Sequence, residues 1–177
     1  MNAYVLVGGR SRRMGSSKVE LFLEHVVAAA RPVFDDVLAV HRAGAASTNI
    51  RTIFEEPHED EAAIFGVARA LRDANGKAFL LAVDYPLITA DVLRYLAGRG
   101  GMPVWNGEPQ PLCAVWDAAL LPRIAERIAA HRYDLRTLGG QEMIPESELR
   151  ARFRGEPLLN VNTPEEWERA QRFLASR

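Results

Sequence analysis

The sequence has little cysteine, no long apolar run and almost no excess of charge. Its one cysteine, Cys113, excludes an internal disulfide bond and a cysteine-based zinc cluster. The longest unbroken apolar run, Ala78 to Val83, is far shorter than the roughly 20 residues that a membrane span needs. With 22 basic and 23 acidic side chains the net charge is −1, so no overall basic field would attract nucleic acid.

The rest of the composition is typical of a soluble globular protein. A chain of 177 residues with 48% hydrophobic side chains can bury a sizeable core, and its length predicts a single domain over residues 1–177. Gly8 and Gly9 come too early to leave room for the apolar core of a signal peptide, and arginines follow them. We therefore expect a cytoplasmic domain that binds neither nucleic acid nor a membrane.

Short apolar runs alternate with helical patterns in the first hundred residues. The predicted strands are Tyr4–Val7, Val37–Val40, Thr52–Phe54 and Ala78–Val83. The predicted helices are Lys18–Ala30, Ala62–Arg72 and a helix capped by Thr89. Strands that alternate with helices of this length are typical of βαβ units. The pattern predicts a three-layer α/β domain with a mostly parallel sheet.

The pattern changes after Gly98. The predicted elements there are short strands at Pro103–Trp105 and Leu112–Trp116, a helix over Asp117–His131, a shorter helix near Tyr133–Leu138 and a last strand at Leu158–Val161. Thr163 and Pro164 have the residue types of an N-cap and a first helical position, and acids follow them. The final helix is predicted to run to about Ala175.

The segment after the first strand combines glycines with cations. Gly8 and Gly9 have no Cβ atom, so their backbone N–H groups can approach a ligand closely. The cations that follow, with no acid among them, are Arg10, Arg12, Arg13 and Lys18. This combination ahead of a helix N-terminus favours a phosphate site, although the spacing fits neither standard glycine-rich template. A solvated basic turn is the alternative.

Asp84 directly follows the strongest strand pattern in the chain. Ligands of open α/β sheets collect at the carboxyl edge of the sheet, which is where this carboxylate is predicted to lie. A carboxylate there can hold Mg²⁺ between phosphate oxygens. A turn or helix-capping aspartate is the alternative, but the glycine–cation segment favours the metal ligand.

Two asparagines near the end of the chain form the third candidate. Asn160 and Asn162 alternate in an extended segment, so their amides are predicted to face the same side. The residues alone leave a turn and a ligand contact equally open. By contrast, the acids Glu55, Glu56, Glu59, Asp60 and Glu61 around His58 are expected to form a solvated loop.

Together these segments resemble the molybdenum cofactor guanylyltransferase (MobA) family. The matching segments, in the order of the family and at about its spacing, are Leu6 to Gly15 with Lys18, Val83 to Pro86, Gln110 to Leu112 and Asn160 to Glu165. The Asn-x-Asn-Thr-Pro ending favours the guanylyl branch. The resemblance implies a three-layer α/β/α Rossmann-like nucleotide-diphospho-sugar transferase (GT-A-like) fold with a mostly parallel sheet.

The function implied by the resemblance is transfer of GMP from GTP to molybdopterin, with Mg²⁺ as cofactor. GTP and molybdopterin are then the substrates, and other proteins of molybdenum cofactor biosynthesis are partners that the resemblance leaves open. The implied catalytic residues are Arg13, Lys18 and Asp84, with Asp84 as the metal ligand. The implied nucleotide-binding residues are Leu6, Val7, Gly8, Gly9, Lys18, Glu56 and Asp84. The implied acceptor-binding residues are Gln110, Asn160 and Asn162.

The chain departs from the family pattern at several positions. Ser17 stands where the family usually has an aspartate before the loop lysine, and His41 where an asparagine is common. Ala62 and Ala63 replace a Gly-Pro pair ahead of the following helix. Cytidylyl transfer, sugar-phosphate nucleotidyl transfer and a non-catalytic nucleotide-binding protein are the alternatives.

Overall fold

The computed structural model describes residues 1–7, 18–44 and 48–175, which form strands and helices around a central sheet. The strands are Ala3–Leu6 (β1), Val37–His41 (β2), Thr52–Phe54 (β3), Lys77–Ala82 (β4), Met102–Trp105 (β5), Glu108–Pro109 (β6), Cys113–Asp117 (β7) and Met143–Ile144 (β8). The helices are Lys18–Ala30 (α1), Ala63–Ala74 (α2), Ala90–Arg99 (α3), Leu121–Ala129 (α4), Glu146–Arg152 (α5) and Pro164–Ala175 (α6). Within the described ranges, every helix is too short or too polar to cross a lipid bilayer.

The central sheet has the strand order β3-β2-β1-β4-β7. Its first four members are parallel, and only β7 runs antiparallel to its neighbour β4. Leu6 of β1 is in register with Val40 of β2 and Ala82 of β4, so the carboxyl ends of three strands lie level. The prediction of a mostly parallel sheet is therefore confirmed.

Helices cover both faces of this sheet. On one face Phe22 and Val26 of α1 pack with Leu93 of α3 in a fully buried cluster. On the opposite face Val67 of α2 and Ile124 of α4 belong to a second cluster. Because both faces are covered, the central strands are apolar on both sides and show continuous hydrophobic runs. The three-layer α/β/α prediction is confirmed.

A small second sheet, with the order β6-β5-β8, lies beside β7. The backbone N–H of Val115 in β7 donates to the carbonyl of Gly101, just ahead of β5, at 3.2 Å. Residues 105–110, which include β6, extend from this sheet to the end of β4, where Gln110 contacts Tyr85.

Two helix starts form as their sequences predict. The side chain of Thr89 accepts a hydrogen bond from the backbone N–H of Val92 at the start of α3. At the start of α6, the Thr163 hydroxyl accepts from the N–H of Glu166, whose carboxylate accepts in return from the N–H of Thr163. This reciprocal arrangement is a capping box, which fixes where the last helix begins.

Three of the later predictions are wrong in kind or extent. Residues 158–161 form no strand, although the N–H of Val161 donates to the carbonyl of Asp84 at 2.9 Å. The helix predicted over Asp117–His131 is a 3₁₀ turn followed by α4, because the Asp117 carboxylate caps the N–H of Ala119 and starts a tighter turn. The helix predicted near Tyr133–Leu138 is a single 3₁₀ turn, Leu135–Thr137.

Sequence periodicity also missed the short elements β6, β8 and α5. The two strands have two residues each, which is too short for an alternating pattern. In α5 only Leu149 is buried, so the helix has no apolar stripe. A salt bridge between Glu146 and Arg150, one turn apart, supports the helix instead.

His41, at the end of β2, makes the stability of the fold depend on pH. Its side chain is 5% exposed, and its Nε2 atom has no hydrogen-bond partner among the described residues. Burial disfavours the charged imidazolium and lowers the pKa of His41 below its ordinary value. The unfolded chain therefore binds a proton at His41 more readily than the folded protein does.

We expect the free energy of unfolding to fall as the pH drops below about 6.5, where the unfolded imidazole takes up its proton. The contribution of His41 is constant above that pH and has a slope of at most about 1.4 kcal/mol per pH unit below it. His41→Gln removes this contribution. Denaturant unfolding of both proteins between pH 5 and pH 8 measures the difference. A difference that does not change with pH in this range would contradict the prediction.

Candidate functional site

A cleft with a volume of about 360 Å³ opens at the carboxyl edge of the central sheet. Leu6 and Ala82, the last residues of β1 and β4, form its floor, and Asp84 lies two residues beyond β4. The other residues that line it are Arg42, Glu55, His58, Glu61, Ala62, Ala63 and Leu112. Ligands of open α/β sheets bind at this edge, so the cleft is the candidate functional site.

Asp84 lies where the sequence predicts it, at the carboxyl end of β4. Its side chain is half-buried and lines the cleft. Its backbone carbonyl accepts the N–H of Val161, which attaches the segment of Asn160 and Asn162 to the end of β4. The position of Asp84 is thus confirmed, while its role as a metal ligand stays a prediction.

The residue after Asp84, Tyr85, joins the predicted acceptor residues to the end of β4. Tyr85 is 2% exposed, and its hydroxyl donates to Oε1 of Gln110 at 2.9 Å. Burial raises the pKa of the Tyr85 phenol well above its usual value, Cys113 and Asp84 raise it further, and a hydrogen bond with Asn160 opposes them. The phenol is therefore a neutral hydrogen-bonding group near pH 7. Nothing in the residues around Tyr85 in the sequence indicates this role.

The side-chain amide of Gln110 is already occupied by the protein. Besides accepting from Tyr85, it donates to the carbonyl of Trp105 at 3.2 Å and to that of Glu108 at 2.9 Å. Both amide hydrogens are used in this way, which leaves only the second lone pair of the oxygen for a ligand. The geometry gives Gln110 a positioning function at the end of β4.

The two asparagines lie together, as their spacing predicts. Nδ2 of Asn162 donates to Oδ1 of Asn160 at 2.8 Å. The backbone N–H of Asn162 donates to the carboxylate of Glu166 at 2.6 Å, so the capping box of α6 also holds this pair. Their contact with an acceptor substrate stays a prediction.

Two acids of the predicted solvated loop, Glu55 and Glu61, line the wall of the cleft instead. The Glu55 and His58 side chains are only 10% and 13% exposed, and Glu55 Oε2 lies 2.6 Å from His58 Nε2. Glu61 is ion-paired with Arg42, whose guanidinium also donates to the carbonyl of His58. The expectation of a solvated loop is therefore wrong for Glu55 and His58, because tertiary contacts turn these side chains inward.

Gly66 in α2 makes room for the inward Glu55 side chain. The backbone N–H of Glu55 donates to the carbonyl of His41, which continues the β2–β3 pairing and fixes the direction of this residue. A Cβ atom added at Gly66 would lie 2.8 Å from Glu55 Oε1 and 3.1 Å from a methyl group of Leu6. Only glycine permits this close approach of α2, Glu55 and the end of β1 without displacement.

Glu56, the acid predicted to bind the nucleotide, faces away from the cleft. Its side chain is 74% exposed and forms a 2.9 Å ion pair with Arg72 of α2. Consecutive residues of an extended chain point to opposite sides, so only one acid of the pair can face the cleft. That acid is Glu55. In the sequence, Glu55 is marked by its position directly after β3 and three residues before His58.

The remaining predicted residues follow β1 in the sequence. Val7 is buried, and its N–H donates to the carbonyl of Val40 at 3.1 Å, which continues the pairing of β1 beyond Leu6. Gly8, Gly9 and Arg13 lie outside the described residues. Lys18 is the first residue of α1, and the described part of the structure does not include its side chain.

The N-terminus of α2 opens directly onto the cleft. Its N-cap, Ala62, has extended backbone angles and makes no side-chain cap hydrogen bond, and Ala62 and Ala63 both line the cleft. The first N–H groups of a helix have no partner within the helix and carry partial positive charge. The N–H of Phe65 donates to the Ala62 carbonyl at 3.3 Å, but the positive end of the helix still lies at the cleft wall, where it favours an anion such as a phosphate.

Comparison with known proteins agrees with this geometry. The MobA-like NTP transferase domain matches residues 3–143. A relative from Aquifex aeolicus, described as a probable molybdenum cofactor guanylyltransferase, is 31% identical over 94% of this chain and 88% of its own. One from Carboxydothermus hydrogenoformans with the same description is 26% identical over 97% of this chain and 95% of its own.

A solved structure has the same fold over its whole length. Molybdopterin-guanine dinucleotide biosynthesis protein A from Archaeoglobus fulgidus superposes with a TM-score of 0.81 over 100% of both chains, at 22% identity. The fold is thus that of the nucleotidyltransferases, as predicted. With a family match over residues 3–143 and relatives that cover nearly the whole chain, this protein belongs to the family of MobA-like NTP transferase domains.

Proposed function

We propose that this protein is a nucleotidyltransferase that transfers GMP from GTP to molybdopterin, forming molybdopterin guanine dinucleotide and pyrophosphate. The observation that carries the proposal is the cleft at the ends of β1 and β4, which brings Leu6, Asp84 and the N-terminus of α2 together. Relatives of this chain described as probable guanylyltransferases support the choice of base and acceptor.

The reaction needs no covalent intermediate on the protein. An oxygen of the terminal phosphate of molybdopterin attacks the α-phosphorus of GTP, a new P–O bond forms, and the bond to the leaving pyrophosphate breaks. Catalysis of such a step consists of positioning the two substrates and stabilising charge on the transferred group. The protein must therefore hold a triphosphate on one side of Asp84 and the acceptor phosphate on another.

The nucleotide side of the proposed site is the end of β1 with the N-terminus of α2. Leu6 lines the floor there, and the open N–H groups of α2 favour negative charge. By family resemblance, the Gly8–Gly9 backbone would approach the base and sugar-phosphate, and Arg13 and Lys18 would balance charge on the phosphates.

The described residues fit a Mg²⁺ ion that is shared with the substrate rather than held by the protein alone. Among them, no group of three or more histidine, cysteine or acidic side chains could hold a metal ion. Asp84 lines the cleft two residues beyond the end of β4, and its carboxylate is the group proposed to hold the ion. Mg²⁺ typically takes one or two carboxylates with phosphate oxygens and waters. When bound, it would supply charge stabilisation for the phosphates.

The acceptor side of the proposed site is the segment around Tyr85. Gln110 and Asn160 both contact the buried phenol, and Asn160 and Asn162 pair with each other. Since the carbonyl of Asp84 accepts the N–H of Val161, a molecule bound by the two asparagines would lie beside the Asp84 carboxylate. The acceptor phosphate and the nucleotide would thus meet at the end of β4.

Asp84→Asn should lower Mg²⁺-dependent pyrophosphate release from GTP by about 10²–10³-fold, because the amide removes the carboxylate charge while keeping the size of the side chain. Asp91→Asn is the matched control, since Asp91 lies in the first turn of α3 with a side chain that is 83% exposed. Pyrophosphate release at saturating Mg²⁺ and equal thermal stability are the two measurements. An Asp84 variant with the rate of the control would exclude the metal-ligand role.

The choice of base is tested by thermal stability. A ligand at 100 times its dissociation constant stabilises the folded state by about 2.7 kcal/mol. In a domain of this size that raises Tm by roughly 5–10 °C. We expect Mg²⁺ with GTP to give this shift and CTP, UTP and ATP to give much less, because a base without matching donors leaves buried polar partners unpaired.

A shift with CTP that equals or exceeds the shift with GTP would overturn the guanylyl assignment in favour of cytidylyl transfer. Cytidylyltransferases share the fold, as the Thermus thermophilus 2-C-methyl-D-erythritol 4-phosphate enzyme shows with a TM-score of 0.60 at 16% identity. Binding of GTP without pyrophosphate release in the presence of molybdopterin would identify a non-catalytic binding protein.

A further inference from the structure

The two contacts of the His58 ring need one proton more than a neutral imidazole and an ionised carboxylate supply. His58 Nδ1 lies 2.6 Å from the backbone carbonyl of Asp60, which can only accept, so Nδ1 carries a hydrogen. His58 Nε2 lies 2.6 Å from Oε2 of Glu55. An ionised carboxylate is also an acceptor only, so this second contact requires another proton, either on Nε2 or on Glu55. With that proton the pair has no net charge.

The surrounding residues hold the His58 ring in place. The ring stacks on Phe65 of α2 with centroids 3.8 Å apart and planes 13° from parallel. Phe65 in turn packs against Tyr133, 5.5 Å away, whose hydroxyl donates to the carboxylate of Asp60. The loop that contains His58 is thus fastened to the segment after α4, and Glu55 contacts a ring that has a fixed position and direction.

The charged groups around the pair are paired with one another. Arg42, after β2, is 2.9 Å from the Glu61 carboxylate and donates to the carbonyl of His58. Beyond α4, Nδ1 of His131 lies 2.8 Å from the Tyr133 hydroxyl and 3.7 Å from the Asp60 carboxylate. In this wall of the cleft, the Glu55 carboxylate contacts His58 and the Glu61 carboxylate contacts Arg42.

We propose that His58 is a positioning residue for nucleotide binding, which holds Glu55 against Gly66 and neutralises it through a shared proton. This inference rests on the proposed function, because a nucleoside triphosphate is a polyanion that a bare carboxylate in the cleft wall would repel. His58 needs no contact with the nucleotide for this role. Removing the proton or the imidazole leaves Glu55 negatively charged beside the phosphates and weakens binding.

The test is a double-mutant cycle on the affinity for Mg²⁺–GTP. His58→Gln keeps a hydrogen-bond donor but cannot carry charge, and should raise Kd about tenfold at pH 7, which is about 1.4 kcal/mol. In a Glu55→Gln background the same substitution should have no effect, because no carboxylate remains to be neutralised. KM for GTP should rise in His58→Gln while kcat stays within about twofold of the wild type, as expected for a binding effect.

His131→Gln is the matched control, because His131 contacts the same loop from outside the cleft with a side chain that is 79% exposed. The Kd of His131→Gln should equal that of the wild type.

Proton NMR of the protein without nucleotide gives an independent measurement. A downfield hydrogen-bonded proton that disappears in both His58→Gln and Glu55→Gln demonstrates the shared proton. The absence of this signal or additive effects in the cycle would overturn the proposal. A wild-type protein that binds no nucleoside triphosphate refutes both the proposed function and the role of His58 in nucleotide binding. In that case the NMR signal still shows whether Glu55 and His58 share a proton.

Discussion

The parallel pairing of β1 with β2 and β4 is the constraint on which the site depends. Because Leu6 lies in register with Val40 and Ala82, three strands end at the same height, and the residues after them meet. Parallel strands require helical crossovers, and these place the N-terminus of α2 at the same edge of the sheet. A shift of β4 by one residue would reverse its faces, so the buried clusters on both sides also fix the position of Asp84.

The site combines carboxylates with a substrate that is itself negatively charged. Glu55 and Glu61 lie in the cleft wall in contact with His58 and Arg42, and the helix N-terminus at Ala62 adds partial positive charge. On the acceptor side, neutral groups replace charged ones. Burial keeps the Tyr85 phenol protonated, and the phenol donates a hydrogen bond to Gln110. The two sides of Asp84 therefore have different electrostatic character, which suits a triphosphate on one side and an ordered acceptor on the other.

Local sequence signals predicted most of the fold. The strand over residues 52–54 and the helix over residues 18–30 have the predicted bounds, and the N-caps Thr89 and Thr163 form as expected. These features depend on contacts within one turn or on runs of apolar side chains, which are visible in a single sequence. The strand predicted over Leu158–Val161 failed because its one hydrogen bond to Asp84 joins an irregular segment to the sheet without forming a ladder.

By itself, the sequence determined the three-layer α/β architecture, the family and the position of Asp84 at the end of β4, because each follows from hydrophobic periodicity or from a contiguous motif. Only the tertiary structure decided that Glu55, and not Glu56, faces the cleft, and that the His58 ring contacts Glu55 there. Three contacts produce that result. The backbone N–H of Glu55 donates a hydrogen bond to His41, Gly66 leaves space for the Glu55 side chain, and His58 stacks on Phe65. Each of these contacts joins different elements of the fold, so no local pattern of charges along the chain records it.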